Sequence, residues 1–219
     1  MYRISILLIL GLFSLFRGFA QDIGTWNILN LKKNISPAWS VFAEGQIRSL
    51  SFYDQFHYWE CKAGLNRTFH NGIVFTLAGG KYNTYSADGN FELPQKSEEW
   101  RIWPQIAMTQ TFGKVKVEHR YRLEERFFTN GNFKHRFRFR VNWARPILKD
   151  SRLGIQNSFE IFFSPYEPYY ERLRAMLGLT YRINEKSQIQ MNYLRQFDYK
   201  IYDEIGKTFF QVGYSLNLN

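Results

Sequence analysis

Apolar and polar side chains alternate one by one along most of the chain. Between Lys114 and Arg126, Val115, Val117, His119, Tyr121 and Leu123 fall on one face, and Lys116, Glu118, Arg120, Arg122, Glu124 and Arg126 on the other. A period of two is that of a β-strand with one apolar and one polar surface. The stretch from His135 to Trp143 repeats it, with Arg136, Arg138 and Arg140 between Phe137, Phe139 and Val141. Downstream, Leu153, Ile155, Phe159, Ile161 and Phe163 oppose Gln156, Ser158 and Glu160, and Leu173, Ala175, Leu177, Leu179, Tyr181 and Ile183 oppose Arg172, Arg174, Thr180 and Arg182. Ile189, Met191, Tyr193 and Phe197 oppose Gln188, Gln190, Asn192, Gln196 and Asp198, and Phe210, Val212, Tyr214, Leu216 and Leu218 close the series. Weaker alternation at 24–31, 38–49, 55–69, 72–83 and 99–112 brings the candidate strands to eleven.

These strands run to about 11–15 residues, whereas strands of soluble domains usually have about five or six and a tilted strand crossing a bilayer needs about nine to eleven. The connections fall into two sets. Those at 32–37, 70–72, 113–114, 146–151 and 184–187 are short, and those at 50–54, 84–98, 128–132, 164–170 and 199–206 are longer on average. Short turns on one rim and longer loops on the other are the habit of outer-membrane barrels, with the turns in the periplasm. The expected fold is therefore all-β, an antiparallel up-and-down transmembrane β-barrel of about 10–12 strands. Eleven is an awkward count, because bacterial single-chain barrels have even numbers. Either 24–31 stands outside the wall, leaving ten strands, or a twelfth is hidden. An exported β-sandwich is the competing architecture, since it too alternates, but with its apolar face in a dry core.

The start of the chain adds a compartment. Arg3, the apolar run Ile4 to Phe16 and the small residues around Gly18-Phe19-Ala20 have the form of a cleaved signal peptide over residues 1–20, which leaves 21–219 as the barrel. The apolar run is too short for a membrane-spanning helix, which needs about 20 residues. Residue 21 is Gln, so the lipid-modified cysteine of bacterial lipoproteins is missing there, and the single Cys61 permits no internal disulfide. With Arg3 and Arg17 removed, 27 basic and 19 acidic residues remain, an excess of eight.

Placement decides what that charge is for. If the apolar phase faces lipid, the enclosed phase holds Arg48, Lys62, Arg101, Lys116, Arg120, Arg122, Arg126, Arg136, Arg138, Arg140, Arg172, Arg174 and Arg182 against Glu44, Glu60, Glu118, Glu124 and Glu160. Lys116, Arg120, Arg122, Arg126, Arg136, Arg138, Arg140, Arg172 and Arg174 are the candidate anion-binding residues, with Glu118, Glu124 and Glu160 as counter-charges. A barrel of about eight strands is just filled by side chains, so one expectation is a basic, largely packed lumen and no enzymatic activity. The alternative is a narrow channel or binding site for small anions, such as basic rings create in pores. Outer-membrane lipid and lipopolysaccharide phosphates are further expected partners.

The remaining chemistry is weaker. Among the four histidines, His70 falls in a turn, while His57, His119 and His135 share the apolar phase, with no serine at a recognisable spacing. A rim-located lipid hydrolase or acyltransferase is thus a second alternative, with His119 and His135 its candidate bases. No His or Cys cluster has metal-ligand spacing, so neither metal nor cofactor is expected. Trp26, Trp39, Trp59, Trp100, Trp103, Trp143, Tyr121, Tyr181 and Tyr193 lie in or beside the strands, as interfacial girdles require. Nucleic acid is not an expected partner, because stacking aromatics occupy the phase opposite to the arginines.

The segments "QDIGTWNILNLKKNISPAWSVFAEGQIR", "VKVEHRYRLEERF" and "HRFRFRVNWARPI" resemble an uncharacterised family of Gram-negative outer-membrane barrels, domain-of-unknown-function family 2490. The resemblance spans nearly all of the chain after residue 20. It implies an outer-membrane barrel and carries no functional residue with it.

Overall fold

The computed structural model describes residues 23–86, 89–148, 151–201 and 203–218, so the expected signal peptide at 1–20 lies outside the described residues. All eleven alternating segments are strands: β1 (Ile23–Asn34), β2 (Trp39–Ser51), β3 (Asp54–Thr68), β4 (Ile73–Thr84), β5 (Ser97–Phe112), β6 (Val115–Phe128), β7 (Phe133–Pro146), β8 (Leu153–Phe163), β9 (Tyr170–Arg182), β10 (Ser187–Lys200) and β11 (Asp203–Asn217). Each pairs antiparallel with its chain neighbours, and one sheet closes on itself into a barrel. There are no two packed sheets, so the sandwich is excluded for the described residues.

Closure resolves the odd count. In an up-and-down series of eleven, the first and last strands run the same way, so β1 joins β11 in parallel, with Ile23 opposite Thr208 and Lys32 opposite Asn217. The even-numbered alternatives of ten or twelve strands are corrected accordingly, and 24–31 is a full member of the wall. On its other side β1 pairs antiparallel with β2, with Trp26 opposite Arg48 and Asn34 opposite Ser40. The connections at 35–38, 69–72, 113–114 and 183–186 share one rim; the start of β1 lies on the other, with 52–53, 129–132 and 164–169. In the two-residue connection after β5, Gly113 has φ 60°, the positive value that a type II′ hairpin requires at its first central position.

Alternation sorts side chains by wall. Leu77, Ile102, Ile106, Leu123, Phe137, Phe159, Leu177, Leu179, Met191 and Tyr193 are exposed on the outside. Glu60, Glu99, Arg101, Arg120, Arg122, Glu124, Arg136, Glu160 and Arg174 are buried inside. The interior is not wholly polar: Trp26, Leu194 and Phe209 form one buried apolar cluster, and Ala78, Tyr82 and Trp103 a second. One irregularity redirects a side chain. The β2–β3 register passes from Arg48 opposite Tyr58 to Ser49 opposite Phe56, a bulge that leaves His57 unpaired in the ladder.

Candidate functional site: the arginine-lined lumen

The register of three adjacent strands sets like charges face to face. Arg120 lies opposite Arg140 and Arg122 opposite Arg138 across β6 and β7, and Arg101 lies opposite Arg126 across β5 and β6. Like charges directly opposite each other repel, so each pair needs an anion between its members. Glu124, opposite Arg136 and fully buried, serves several. Its carboxylate accepts from Arg136 Nε at 2.9 Å and Nη2 at 2.5 Å, from Arg138 Nη1 at 2.5 Å and from Arg122 Nη1 at 3.4 Å, while Arg101 Nη1 lies 3.9 Å away. Glu160 of β8 accepts from Arg138 Nε at 3.1 Å and Nη2 at 2.7 Å, and from Arg120. Glu99 bonds Arg126 at 2.7 and 3.0 Å and Arg101 at 2.5 Å. The Arg126–Glu99 pair, two parallel bonds to two oxygens, is the bidentate kind that is strong and geometrically specific.

Around this centre the pairs are simpler. Glu118 holds Arg140 at 2.6 Å, Asp198 holds Arg172, and Glu60 accepts from Lys62 at 2.7 Å, from Arg48 at 3.3 Å and from Tyr58. Lys62 also reaches Glu44 at 2.6 Å. Several guanidiniums lie over aromatic rings as well. Arg48 stands 3.5 Å from the Trp26 centroid and 4.1 Å from that of Tyr58, and Arg101 lies 3.7 Å from Tyr82. The Phe162 ring is within 5.5 Å of Arg136, Arg138, Arg172 and Arg174. Such contacts hold a cation without neutralising it.

A cavity of about 640 Å³ remains inside. Lys96, Lys207 and His57 line it near one rim, and Asn30, Asn142 and Ser215 near the other, so it runs along most of the strand length. Its lining holds thirteen Lys and Arg and five Glu. Glu124, Asp198 and Glu171 bond those cations from outside the lining, so among the described residues thirteen cations share eight carboxylates, an excess of five. The excess shows in the bonding: the Nε groups of Arg48, Arg101, Arg120 and Arg140 are buried without a hydrogen-bond partner among the described residues.

A family described as "Protein of unknown function (DUF2490)" matches residues 23–204. The chain belongs to this family. No curated protein sequence matches the DUF2490 chain. Among solved structures, the anion-selective porin from Comamonas acidovorans aligns with a TM-score of 0.39 at 7% identity, covering 81% of this chain and 57% of the porin. The DUF2490 chain thus spans little more than half of that porin's length.

Of the candidate lumen residues, Arg120, Arg122, Arg126, Arg136, Arg138, Arg140, Arg172 and Arg174 line the cavity of the DUF2490 barrel together with Glu118 and Glu160, and Glu124 lies behind them. Lys116 is a correction: as the second residue of β6 it is exposed at the rim and does not line the cavity. Arg182, the last residue of β9, likewise reaches only a smaller rim pocket. Two supposed girdle tryptophans, Trp26 and Trp103, point inward, where they are 4% and 0% exposed. They share the phase of Asn30 and Arg101, which the type of residue alone obscures. Aromatics therefore do stack on the arginines, contrary to the premise used against nucleic acid, but they do so inside a closed wall. His57 leaves the apolar phase because of the bulge and lines the cavity. His119 stacks on Phe139 with centroids 6.5 Å apart. His135 Nδ1 lies 2.7 Å from Glu125 on the outer wall, and among the described residues no serine or threonine hydroxyl is hydrogen-bonded to a histidine.

Asp198 was on the polar face but not counted among the enclosed charges, and Glu99, Glu171, Lys96, Lys207 and the inner aromatics Tyr58, Tyr82 and Phe162 escaped sequence reasoning. Glu99 and Phe162 each share a phase with a residue already placed inside, Arg101 and Glu160, so strict alternation could have found both.

Proposed function

We propose that this DUF2490 barrel spans a bacterial outer membrane and admits small anions to its basic lumen, without catalysing a reaction. Residues 1–20 are its signal peptide, and the outer apolar belt is its contact with lipid. Strands of 11 to 16 residues support a bilayer-crossing wall, since about nine to eleven suffice when tilted. The observation that carries the anion reading is the imbalance at the cavity: among the described residues, thirteen cations share eight carboxylates around about 640 Å³ of open space. Charged rings of one sign select the opposite ion, and a low-dielectric wall strengthens their field.

Efflux from liposomes tests this. Vesicles containing the refolded full-length barrel and loaded with a chloride salt of an impermeant cation should release chloride faster than empty vesicles when an exchangeable anion is supplied outside. Equal release from both would overturn the reading.

A further inference from the structure

Most lumen guanidiniums are turned toward carboxylates, but two are held mainly by rings. Arg48 lies between Trp26 and Tyr58, 3.5 and 4.1 Å from their centroids. Arg174 lies 4.9 Å from the same Trp26 and 4.7 Å from Phe162. Trp26 itself is fixed, donating from Nε1 to Gln46 at 2.8 Å. Gln46 also accepts from Arg48 Nη2 at 2.9 Å, and Gln196 accepts from Arg174 Nε at 2.8 Å. These amides orient the guanidinium planes and leave their charge intact.

The acidic contacts of the pair are long, and each carboxylate is engaged more closely elsewhere. Arg48 Nη2 meets Glu60 at 3.3 Å, while that carboxylate is taken up by Lys62 at 2.7 Å and by Tyr58. Arg174 Nη1 stands 3.5 Å from Glu160, which Arg120 and Arg138 already engage. Among the described residues, the only hydrogen bond of the Arg174 guanidinium is the one to Gln196, and Arg48 Nε is buried with no partner. Both residues line the main cavity, whose volume is many times the roughly 30 Å³ of one water.

We infer that Arg48 and Arg174, organised on Trp26, form a binding site for a phosphate-type oxyanion inside the barrel. A guanidinium offers two parallel N–H groups in a rigid fork that matches two oxygens on one centre, a geometry that a spherical halide cannot use. Ring stacking pre-orients both forks, so little rotamer freedom is lost on binding. The site rests on the anion-admitting reading above but is separable from it, because an oxyanion can bind in a lumen that does not conduct.

The test is titration of inorganic phosphate into the detergent-folded full-length barrel by calorimetry, with chloride and acetate as separate arms. Phosphate should bind at least tenfold more tightly than chloride. Acetate binding as tightly as phosphate would reassign the site to carboxylates and overturn the phosphate class. Arg174→Gln and Arg48→Gln should each weaken phosphate binding at least tenfold. Arg174→Lys, which keeps the charge and loses the fork, should also weaken it, while Arg182→Gln at the rim should leave it unchanged. Heat-modifiable migration on gels identifies the folded variants, and Arg174→Lys serves if a glutamine variant fails to fold. Wild-type-like phosphate binding by the folded arginine variants, or equal binding of phosphate and chloride, would overturn the site. Phosphate binding without chloride efflux would instead sink the proposed passage and leave the site standing.

Discussion

Arg138 stands between Glu124 and Glu160, donating from Nη1 to the first at 2.5 Å and from Nη2 to the second at 2.7 Å. Through this one guanidinium the carboxylate of β6 and that of β8 become parts of a single network, with Arg122 and Arg136 on one side and Arg120 and Arg174 on the other. With Glu118 on Arg140 and Glu99 on Arg101 and Arg126, it lets three facing arginine pairs coexist in one wall. It also leaves the lumen positive, because each carboxylate is divided among several cations.

Removing the most shared carboxylate should therefore expose the repulsion. Glu124→Gln is expected to lower unfolding stability by about 3–5 kcal/mol, the usual consequence of breaking a buried ion pair by deleting one partner. The check is the urea midpoint followed by heat-modifiable migration. Adding Arg138→Met should recover part of the loss, so the double variant should be more stable than the summed single effects require.

The parallel closure is open to chemistry. In a Cys61→Ser background, Asn27→Cys and Val212→Cys occupy opposed positions on β1 and β11, and a short thiol cross-linker should join them in the folded barrel. A ten-strand wall without β1 would leave the two cysteines unlinked.

Outward side chains in mid-strand should resist charge. Phe139→Arg, central on β7, is expected to destabilise the bilayer-inserted barrel by about 2–4 kcal/mol, and Phe133→Arg at the strand end by about 0–1 kcal/mol. Refolding into vesicles across a urea series would measure both; equal, small effects would argue against a lipid-facing belt.

Inside, one close approach depends on glycine. A Cβ at Gly178 would stand 1.9 Å from Asn192 Oδ1, and Asn192 is held by Gln156 at 2.7 Å and Gln211 at 2.8 Å. Gly178→Ala should cost about 1–3 kcal/mol as an overpacked substitution in thermal unfolding, and because the Met191 carbonyl also crowds the added Cβ, pairing it with Asn192→Ala should leave most of that loss in place.

Strand existence, strand order in the chain and the inward direction of Arg136, Arg138 and Arg140 were legible because a period of two survives any uncertainty about strand ends. Closure was not legible, since nothing in the alternation of 24–31 distinguishes a parallel from an antiparallel partner. His57 shows the limit of phase: one bulge at Arg48 and Ser49 reverses a side chain that alternation assigns outward. Trp26 and Trp103 show another, because a residue type that suits an interface also suits a guanidinium. The division of eight carboxylates among thirteen cations needed coordinates, as it depends on neighbours across the lumen such as Arg120 and Glu160, which are on strands that do not pair.

A lumen this basic should favour anions, and the sign of the reversal potential shows whether it does. With the purified barrel in a planar bilayer and a potassium chloride gradient across it, the current should reverse at a potential of the sign set by chloride, and Arg122→Gln should move that potential toward zero. Reversal at the potassium side, or a bilayer that stays silent, would contradict the account.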